Sequence, residues 1–359
     1  MEETDGIVSA RMHAGRCIDR DIANLCKLAV DRQISMSLEM QRDFVGDRYL
    51  KCVKDIESPF AALSHALTVG EPALFADYVI WAGITLANLG LSDASLTESL
   101  MAMSETLTAE LPDRAASVSV GYIGLSFKAL EGAAVGAPDV APAVAPLTDT
   151  AAAYLSALLS GDRWGAEALV RDAAAAGAAL TDIYEHVFRV TQHQVGRMWQ
   201  FERLSVAMEH YATGATEAVM AQLRVEQLHG PSGARRFLGA CAEGEEHDMA
   251  IRMICDVLRS RGWETFFLGA STPESALVEA VEAFRPSVVG LSATWLLNVE
   301  NVRRAIVRIR ETHPEVRLVV GGAPFDQIVG LADKVGADAR GESLFKLSDQ
   351  LDRLIAPTY

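Results

Sequence analysis

Residues 237–248 read Phe237-Leu-Gly-Ala-Cys-Ala-Glu-Gly-Glu-Glu-His-Asp248, a short apolar run that ends in acids around one histidine. Similar apolar runs follow at 265–268, 287–292 and 317–320. Helical patterns separate these runs at 248–262, 273–284, 299–312 and 325–335, and a last one lies near 342–354. This alternation predicts a doubly wound, parallel α/β sheet, flavodoxin-like or Rossmann-like, over residues 231–359.

The segment before this sheet, residues 148–230, has the apolar spacing of helices and no strand pattern. Short turns separate four such stretches, and Ser205 is a good N-cap for the last of them. The pattern predicts a four-helix bundle. Residues 131–147 contain three prolines among small residues and are predicted to be a linker.

Residues 1–130 form a third region, in which apolar residues recur at steps of three and four positions. Turn residues interrupt the pattern at Gly46, 70–72, 90–92 and 112–113. We therefore expect an all-α domain of about five helices. The whole chain is predicted to be a multidomain protein.

The bulk properties exclude several classes of protein. The 359 residues carry a net charge of −16 and no basic face, which argues against direct nucleic-acid binding. No apolar run reaches the roughly 18 residues that span a bilayer, and the acidic start does not resemble a secretory signal. Five cysteines without metal-type spacing are typical of reduced thiols. We expect a cytoplasmic protein without a membrane partner.

Ligands of parallel sheets lie at the carboxyl ends of the strands, so the loops there are the first place to seek a site. The candidate residues are Glu245, Glu246, His247 and Asp248 after the first run, Ser292 and Thr294 after the third, and Gly321 and Gly322 after the fourth. The glycine pair allows a ligand to approach the backbone closely. The first loop lacks the GxGxxG pattern, which argues against a dinucleotide.

His247 is the side chain in these loops best suited to hold a metal. A neutral imidazole is a good metal ligand, and a carboxylate on its other nitrogen fixes the tautomer. Glu245, two residues earlier, is placed for that role. The alternative is a histidine at a helix start whose acidic neighbours stabilise the helix dipole.

These three loops resemble the signatures of cobalamin-binding domains of the methionine-synthase type. The resemblance implies that His247 is the lower cobalt ligand, that Glu245 orients it, and that Ser292 and the glycine pair contact the displaced nucleotide tail. Two positions depart from the family pattern: Glu245 replaces an aspartate, and Ala250 replaces a glycine.

The bundle carries a second motif, Trp199 followed by Glu209-His210. On one unbroken helix, residues 199 and 210 would lie about 16 Å apart along the axis. A turn near 201–204 would allow an indole, a carboxylate and an imidazole to converge on one ligand. The alternative is a core tryptophan and a satisfied buried histidine.

The segments 195–199 and 204–210 resemble the bundle of the cobalamin-dependent photoreceptors typified by CarH. The resemblance implies adenosylcobalamin as cofactor, with Trp199, Glu209 and His210 on its adenosyl side. Gln200 stands where that family can carry a histidine, so that another ligand such as His193 would have to replace it.

The N-terminal region resembles, by helix count and length, the globin-like domain of photocobilins, which pair cobalamin with biliverdin. The resemblance implies a bilin held by Tyr78, Trp81, His65 and a cation such as Arg48, with Arg32, Lys51 and Lys54 as further candidate cations. Cys52 is a candidate for a thioether to the bilin. The alternatives are a core aromatic stripe, solvated cations and a buried cysteine.

The function expected from these resemblances is that of a light sensor, not an enzyme, whose signal leaves through light-dependent homo-oligomer assembly or a separate output protein. A corrinoid methyl-carrier subunit of a methyltransferase system is the main alternative. A cobalamin-sensing regulator that does not use light is a third.

Overall fold

A computed structural model of the chain describes residues 2–36, 46–88, 93–132, 148–227 and 235–356. The contacts divide the chain into two compact units, residues 1–140 and 141–359. The predicted linker starts too early, since a helix continues to Gly132. The rest of that linker and the predicted break at 90–92 lie outside the described residues.

Unit 1 is all-α, as predicted, in the part of it that the structure describes. Its helices are α1 Glu2–Met36, α2 Asp47–Asp55, α3 Glu57–Val69, α4 Pro72–Asn88, α5 Asp93–Glu110 and α6 Asp113–Gly132. The described residues of unit 1 form six helices, where about five were expected. Only Ile56 separates α2 from α3, and Pro59, in the first turn of α3, is the residue that marks this break in the sequence.

Gly70 ends α3 as the sequence predicts, with a left-handed φ of 79°. The Arg11 guanidinium lies against it and donates to the carbonyl of Leu67 at 3.0 Å. A Cβ at position 70 would fall on this guanidinium. Glycine therefore serves both the helix end and the cap that Arg11 supplies.

The first part of unit 2 is helical. Its elements are α7 Asp149–Leu159, α8 Arg163–Ala175, α9 Leu180–Ile183, a π-helical turn Tyr184–Arg189, α10 Val190–Gln200 and α11 Val206–Gln227. The turn expected near 201–204 is present, and the Ser205 hydroxyl caps α11 by accepting from the Met208 N–H at 3.3 Å. Helices α9 and α10 with the π-turn form one continuous rod, which the sequence predicted as a single helix.

The second part of unit 2 is a five-stranded sheet in the order β2-β1-β3-β4-β5, parallel throughout, which confirms the predicted doubly wound fold. The strands are β1 Arg236–Ala242, β2 Glu264–Thr272, β3 Val288–Ser292, β4 Arg317–Gly321 and β5 Ala339–Arg340. The helices are α12 Met249–Ser260, α13 Glu274–Phe284, α14 Val299–Thr312, α15 Ala323–Gln327, α16 Leu331–Val335 and α17 Leu344–Ile355, with a 3-10 turn at Leu296–Asn298.

The bundle helices share a buried core with two helices of the sheet domain, α12 and α17. Tyr184 and Phe188 of the π-turn pack in the same buried cluster as Met253 and Val257 of α12. Buried Asp256 accepts a hydrogen bond from the Tyr184 hydroxyl at 2.9 Å. The bundle and the sheet domain therefore belong to one compact unit.

A second polar contact joins the same parts. The Glu185 carboxylate accepts from the Leu344 N–H at 2.9 Å, and so caps α17. Its other oxygen is 2.6 Å from Arg189 Nε. The π-turn places Tyr184 and Glu185 side by side, and both reach the sheet domain.

In the ranges that the structure describes, none of the helices combines the length and the apolar character of a membrane span.

Candidate functional site

The candidate site lies at the carboxyl edge of the sheet, where the strand order reverses direction. Strand β1 stands between β2 and β3, so the chain leaves β1 towards one side of the sheet and β3 towards the other. Loops that diverge in this way open a crevice at the strand ends. The three predicted loops, at 243–248, 292–295 and 321–322, all leave this edge.

Glu245 is the anchor of this edge. Its side chain is fully buried, and Oε2 accepts from the N–H groups of Thr294 at 2.6 Å and Trp295 at 3.0 Å. The Asn298 amide donates to the same oxygen at 3.0 Å. The other oxygen, Oε1, accepts from the His247 N–H at 3.0 Å and lies 2.5 Å from His247 Nδ1. One carboxylate thus fastens the loop after β1 to the loop after β3.

These hydrogen bonds decide the charge of Glu245. Burial by itself would raise the pKa of this carboxyl. The bonds from the His247 ring, the Trp295 N–H and the Asn298 amide outweigh burial and lower the pKa to about 2. Glu245 is therefore an ionised carboxylate across the physiological pH range.

His247 is held by one nitrogen and open at the other. An ionised carboxylate only accepts, so Nδ1 carries the hydrogen of the bond to Glu245. Among the described residues nothing hydrogen-bonds Nε2, and 57% of the side chain is exposed. The neutral ring therefore presents the Nε2 lone pair to solvent.

The charge around His247 is negative. The hydrogen bond to Glu245 raises the pKa of His247, burial offsets part of this rise, and the charges of Glu245, Glu209 and Glu246 add to it. Glu246 is exposed. The Asp248 carboxylate instead forms an ion pair with Arg252, with 3.1 Å between Oδ2 and Nη2.

The glycine pair after β4 has two distinct roles. Gly322 has a φ of 112°, and a Cβ there would stand 2.0 Å from the Ala293 carbonyl oxygen. Gly321, which pairs with buried Ser292 across the sheet, has no described atom within 4 Å of where its Cβ would be. The chain itself requires glycine at 322, whereas residue 321 leaves room for a ligand.

The bundle brings part of its predicted motif to this edge. Glu209 lies close enough to His247 for its charge to raise the histidine's pKa. Its Oε2 is 2.6 Å from His210 Nδ1, and its Oε1 accepts from the Thr213 hydroxyl at 3.0 Å. Trp199 lies at the end of α10, before the turn, with 41% of its surface exposed.

Several residues of this site belong to no sequence motif from which their role could be predicted. Asn298 lies in the 3-10 turn after β3 and also donates to the Gly244 carbonyl at 3.2 Å. Thr213, which bonds Glu209, also lies within hydrogen-bond distance of the Gln192 side-chain oxygen at 3.2 Å. The Gln192 amide nitrogen donates to the Thr216 hydroxyl at 2.8 Å. These contacts come from tertiary packing.

The bilin candidates all lie in unit 1. Tyr78 is buried in its core, and its ring centroid is 6.0 Å from that of Trp81. Trp81 and His65 are half-buried, and Arg48 is exposed.

The remaining bilin candidates are a cation and a thiol. Arg32 is already bonded to Thr106 at 2.9 Å and pairs with Glu110. Burial, with the charge of Asp55, raises the pKa of Cys52, which keeps this thiol protonated. The structure thus makes Cys52 less nucleophilic than a free thiol.

Comparison with known families identifies two domains within unit 2. A family model described as a B12 binding domain matches residues 235–346, and a second model of the same description matches residues 150–224. Both cover the elements that meet at the candidate site. Unit 2 therefore carries B12-binding domains, and cobalamin binding is supported.

The similar curated proteins are corrinoid proteins. Dimethylamine corrinoid protein 2 of Methanosarcina mazei is 28% identical over 169 residues, which are 45% of this chain and 77% of that protein. The trimethylamine corrinoid protein of Methanosarcina barkeri is 28% identical over 186 residues, 50% of this chain and 83% of that protein.

A solved structure shares the fold. The Methanosarcina barkeri monomethylamine corrinoid protein aligns with a TM-score of 0.51 at 21% identity, over 56% of this chain and 96% of that one. The expectation of a light sensor is wrong, because the relatives are methylamine corrinoid proteins and favour the methyl-carrier alternative. The comparisons support a corrinoid, but extend neither to adenosylcobalamin nor to biliverdin.

The buried carboxylate predicts how His247 titrates in the ligand-free protein. His247 should keep its proton to a pH above the ordinary histidine value of about 6.5, and Glu245→Gln should lower that pH. The stabilisation from this pair is complete below the ordinary histidine pKa and is lost as pH rises through the raised one. NMR titration of the His247 ring measures the shift. Glu246→Gln, at an exposed neighbour, is the matched control and should change it much less. Equal titration in wild type and Glu245→Gln would contradict the account.

The glycine pair predicts opposite outcomes for one added methyl group. Gly322→Ala should destabilise unit 2 or displace its loops, because the new Cβ would collide with a backbone carbonyl at a positive φ. Gly321→Ala should fold with nearly unchanged stability but bind cobalamin more weakly. Thermal unfolding and titration with hydroxocobalamin measure the two effects. Wild-type affinity in folded Gly321→Ala would show that no ligand approaches this position.

Proposed function

We propose that unit 2 is a corrinoid-binding methyl carrier, the corrinoid subunit of a methyltransferase system. The observation that carries the proposal is the His247–Glu245 pair, at the open edge of a sheet that matches a B12-binding domain. The histidine presents one nitrogen to a ligand, and the buried carboxylate fixes the other. A histidine held in this way would suit the role of a cobalt ligand.

The residues at the carboxyl edge fit such a cofactor. His247 would hold the cobalt through Nε2, while Glu245 fixes the tautomer and increases the ring's basicity. Ser292, Thr294 and Gly321 border the slot for the nucleotide tail, where the missing side chain of Gly321 leaves room. Gly322 keeps the loop in the conformation that this slot requires. When bound, the corrinoid supplies a cobalt centre that can accept a methyl group and give it up.

In this proposal, residues of the bundle would border the same cofactor site. Glu209 is held by Thr213 and His210, so its carboxylate has a defined position. Its closeness to His247 supports placing the dyad over the same site. Half-exposed Trp199 offers an indole surface at the adjacent turn. These groups would shield a bound corrinoid from bulk water.

The methyl donor proposed for this system is a methylated amine. The proposal rests on the names of the similar proteins, which are dimethylamine and trimethylamine corrinoid proteins. A carrier acts between enzymes, so separate methyltransferase proteins that deliver and remove the methyl group are the proposed partners. No light-dependent assembly enters this account.

Transfer of a labelled methyl group tests the proposal. The protein is loaded with hydroxocobalamin, reduced anaerobically with titanium(III) citrate, and given 14C-labelled monomethylamine, dimethylamine or trimethylamine with an extract of its own source cells. We expect label on the wild-type protein after gel filtration, and at least about tenfold less on His247→Ala. His313→Ala, a histidine before β4 at the far edge of the sheet, is the control and should label normally.

Labelled methyl iodide needs no partner enzyme and separates the possible failures. Label from methyl iodide but from no amine would contradict the proposed donor class and leave the carrier intact. A protein that retains the corrinoid but takes label from neither source would contradict the carrier function itself.

A further inference from the structure

Ser271 combines two features at the carboxyl edge of the sheet. Its backbone is strained, and its side chain hydrogen-bonds the loop that carries His247. It lies near the end of β2 with a φ of 45°, a left-handed conformation that a serine rarely adopts. Gly269, two residues earlier, has a φ of 84°. A glycine would take the conformation of Ser271 without strain, so the serine side chain requires its own explanation.

Two irregularities in the sheet bring Ser271 to this place. The register of β2 against β1 shifts between Gly239 and Ala240, and again between Ala240 and Ala242. Each shift gives β2 one residue more than its partner, as in a β-bulge. The added length carries Ser271 across the end of β1, over the turn that leads to Glu245.

Ser271 there makes two hydrogen bonds to the turn. Its Oγ accepts from the Gly244 N–H at 3.0 Å, and its own N–H donates to the Glu245 carbonyl at 2.9 Å. The two bonds flank the peptide between Gly244 and Glu245. On the opposite side, Asn298 donates to the Gly244 carbonyl and to the Glu245 carboxylate. The turn is thus held from β2 and from β3 at once.

We propose that Ser271 is a positioning residue for His247. It acts through the Gly244–Glu245 peptide, which it fixes from the β2 side so that the Glu245 carboxylate meets both the imidazole and its donors. Both hydrogen bonds of Ser271 described above go to the Gly244–Glu245 segment and not to the His247 ring. The proposal rests on the proposed corrinoid function, because it assigns Ser271 a role in presenting the cobalt ligand.

Two substitutions separate this role from that of an ordinary turn residue. Ser271→Gly removes the hydroxyl and relieves the backbone strain, whereas Ser271→Ala removes the hydroxyl and keeps the strain. We expect Ser271→Gly to unfold at the wild-type temperature or above, and Ser271→Ala below it. Both should bind hydroxocobalamin three- to tenfold more weakly, because neither holds the turn. Ser271→Asn, which tolerates this φ and restores an acceptor, should recover part of the affinity.

Hydrogen exchange of the ligand-free protein gives a readout independent of the cofactor. Peptides that cover residues 243–247 should exchange at least about threefold faster in Ser271→Gly and Ser271→Ala than in wild type, while peptides from β4 stay unchanged. A turn residue without a positioning role would leave Ser271→Gly equal to wild type in exchange and in affinity, and that result would overturn the proposal.

The wild type and His247→Ala distinguish the two levels of failure. If wild type and Ser271→Gly bind hydroxocobalamin equally well and His247→Ala does not, only the Ser271 proposal fails. If wild type binds no better than His247→Ala, the proposed function fails, and the positioning role fails with it.

Discussion

The candidate site depends on one buried carboxylate. Glu245 is fully buried, yet it stays ionised because donors from two loops and from one imidazole surround it. Without those donors, burial would favour the protonated form of Glu245. A protonated carboxyl would no longer be the purely accepting group that orients His247. The loops after β1 and β3 also meet through this carboxylate, so the shape of the crevice and the state of the histidine have one cause.

Two buried polar contacts join the bundle to the sheet domain that carries this crevice. The π-turn sets Tyr184 and Glu185 side by side, where one reaches Asp256 and the other caps α17. Asp256 is buried, accepts from the Tyr184 hydroxyl and lies 3.0 Å from Arg224 Nε. Removing one partner would leave a buried charge unpaired, which costs stability. These contacts hold α10 and α11, and hence Glu209, against the edge that carries His247.

Sequence reasoning predicted the parallel sheet, the position of the loops and the pairing of Glu245 with His247, because these follow from strand periodicity and from short spacing. It could not predict Asn298 or Ser271, which reach the site through tertiary packing and irregular strand register. It also could not separate sensing from methyl transfer. The Trp199 and Glu209-His210 motif suggested an adenosyl ligand, but an indole and a carboxylate–imidazole dyad can border many upper ligands. The comparisons, not the side chains, corrected that step.

The most direct test of the account is the identity of the atom beneath cobalt. Electron paramagnetic resonance of the protein loaded with cob(II)alamin, with its histidines labelled with 15N, reports the nuclear spin of the axial nitrogen. We predict the doublet splitting of a 15N ligand in wild type and its loss in His247→Ala. The triplet of an unlabelled nitrogen in the wild-type protein would mean that the cofactor keeps its own base, and it would contradict the role assigned to His247.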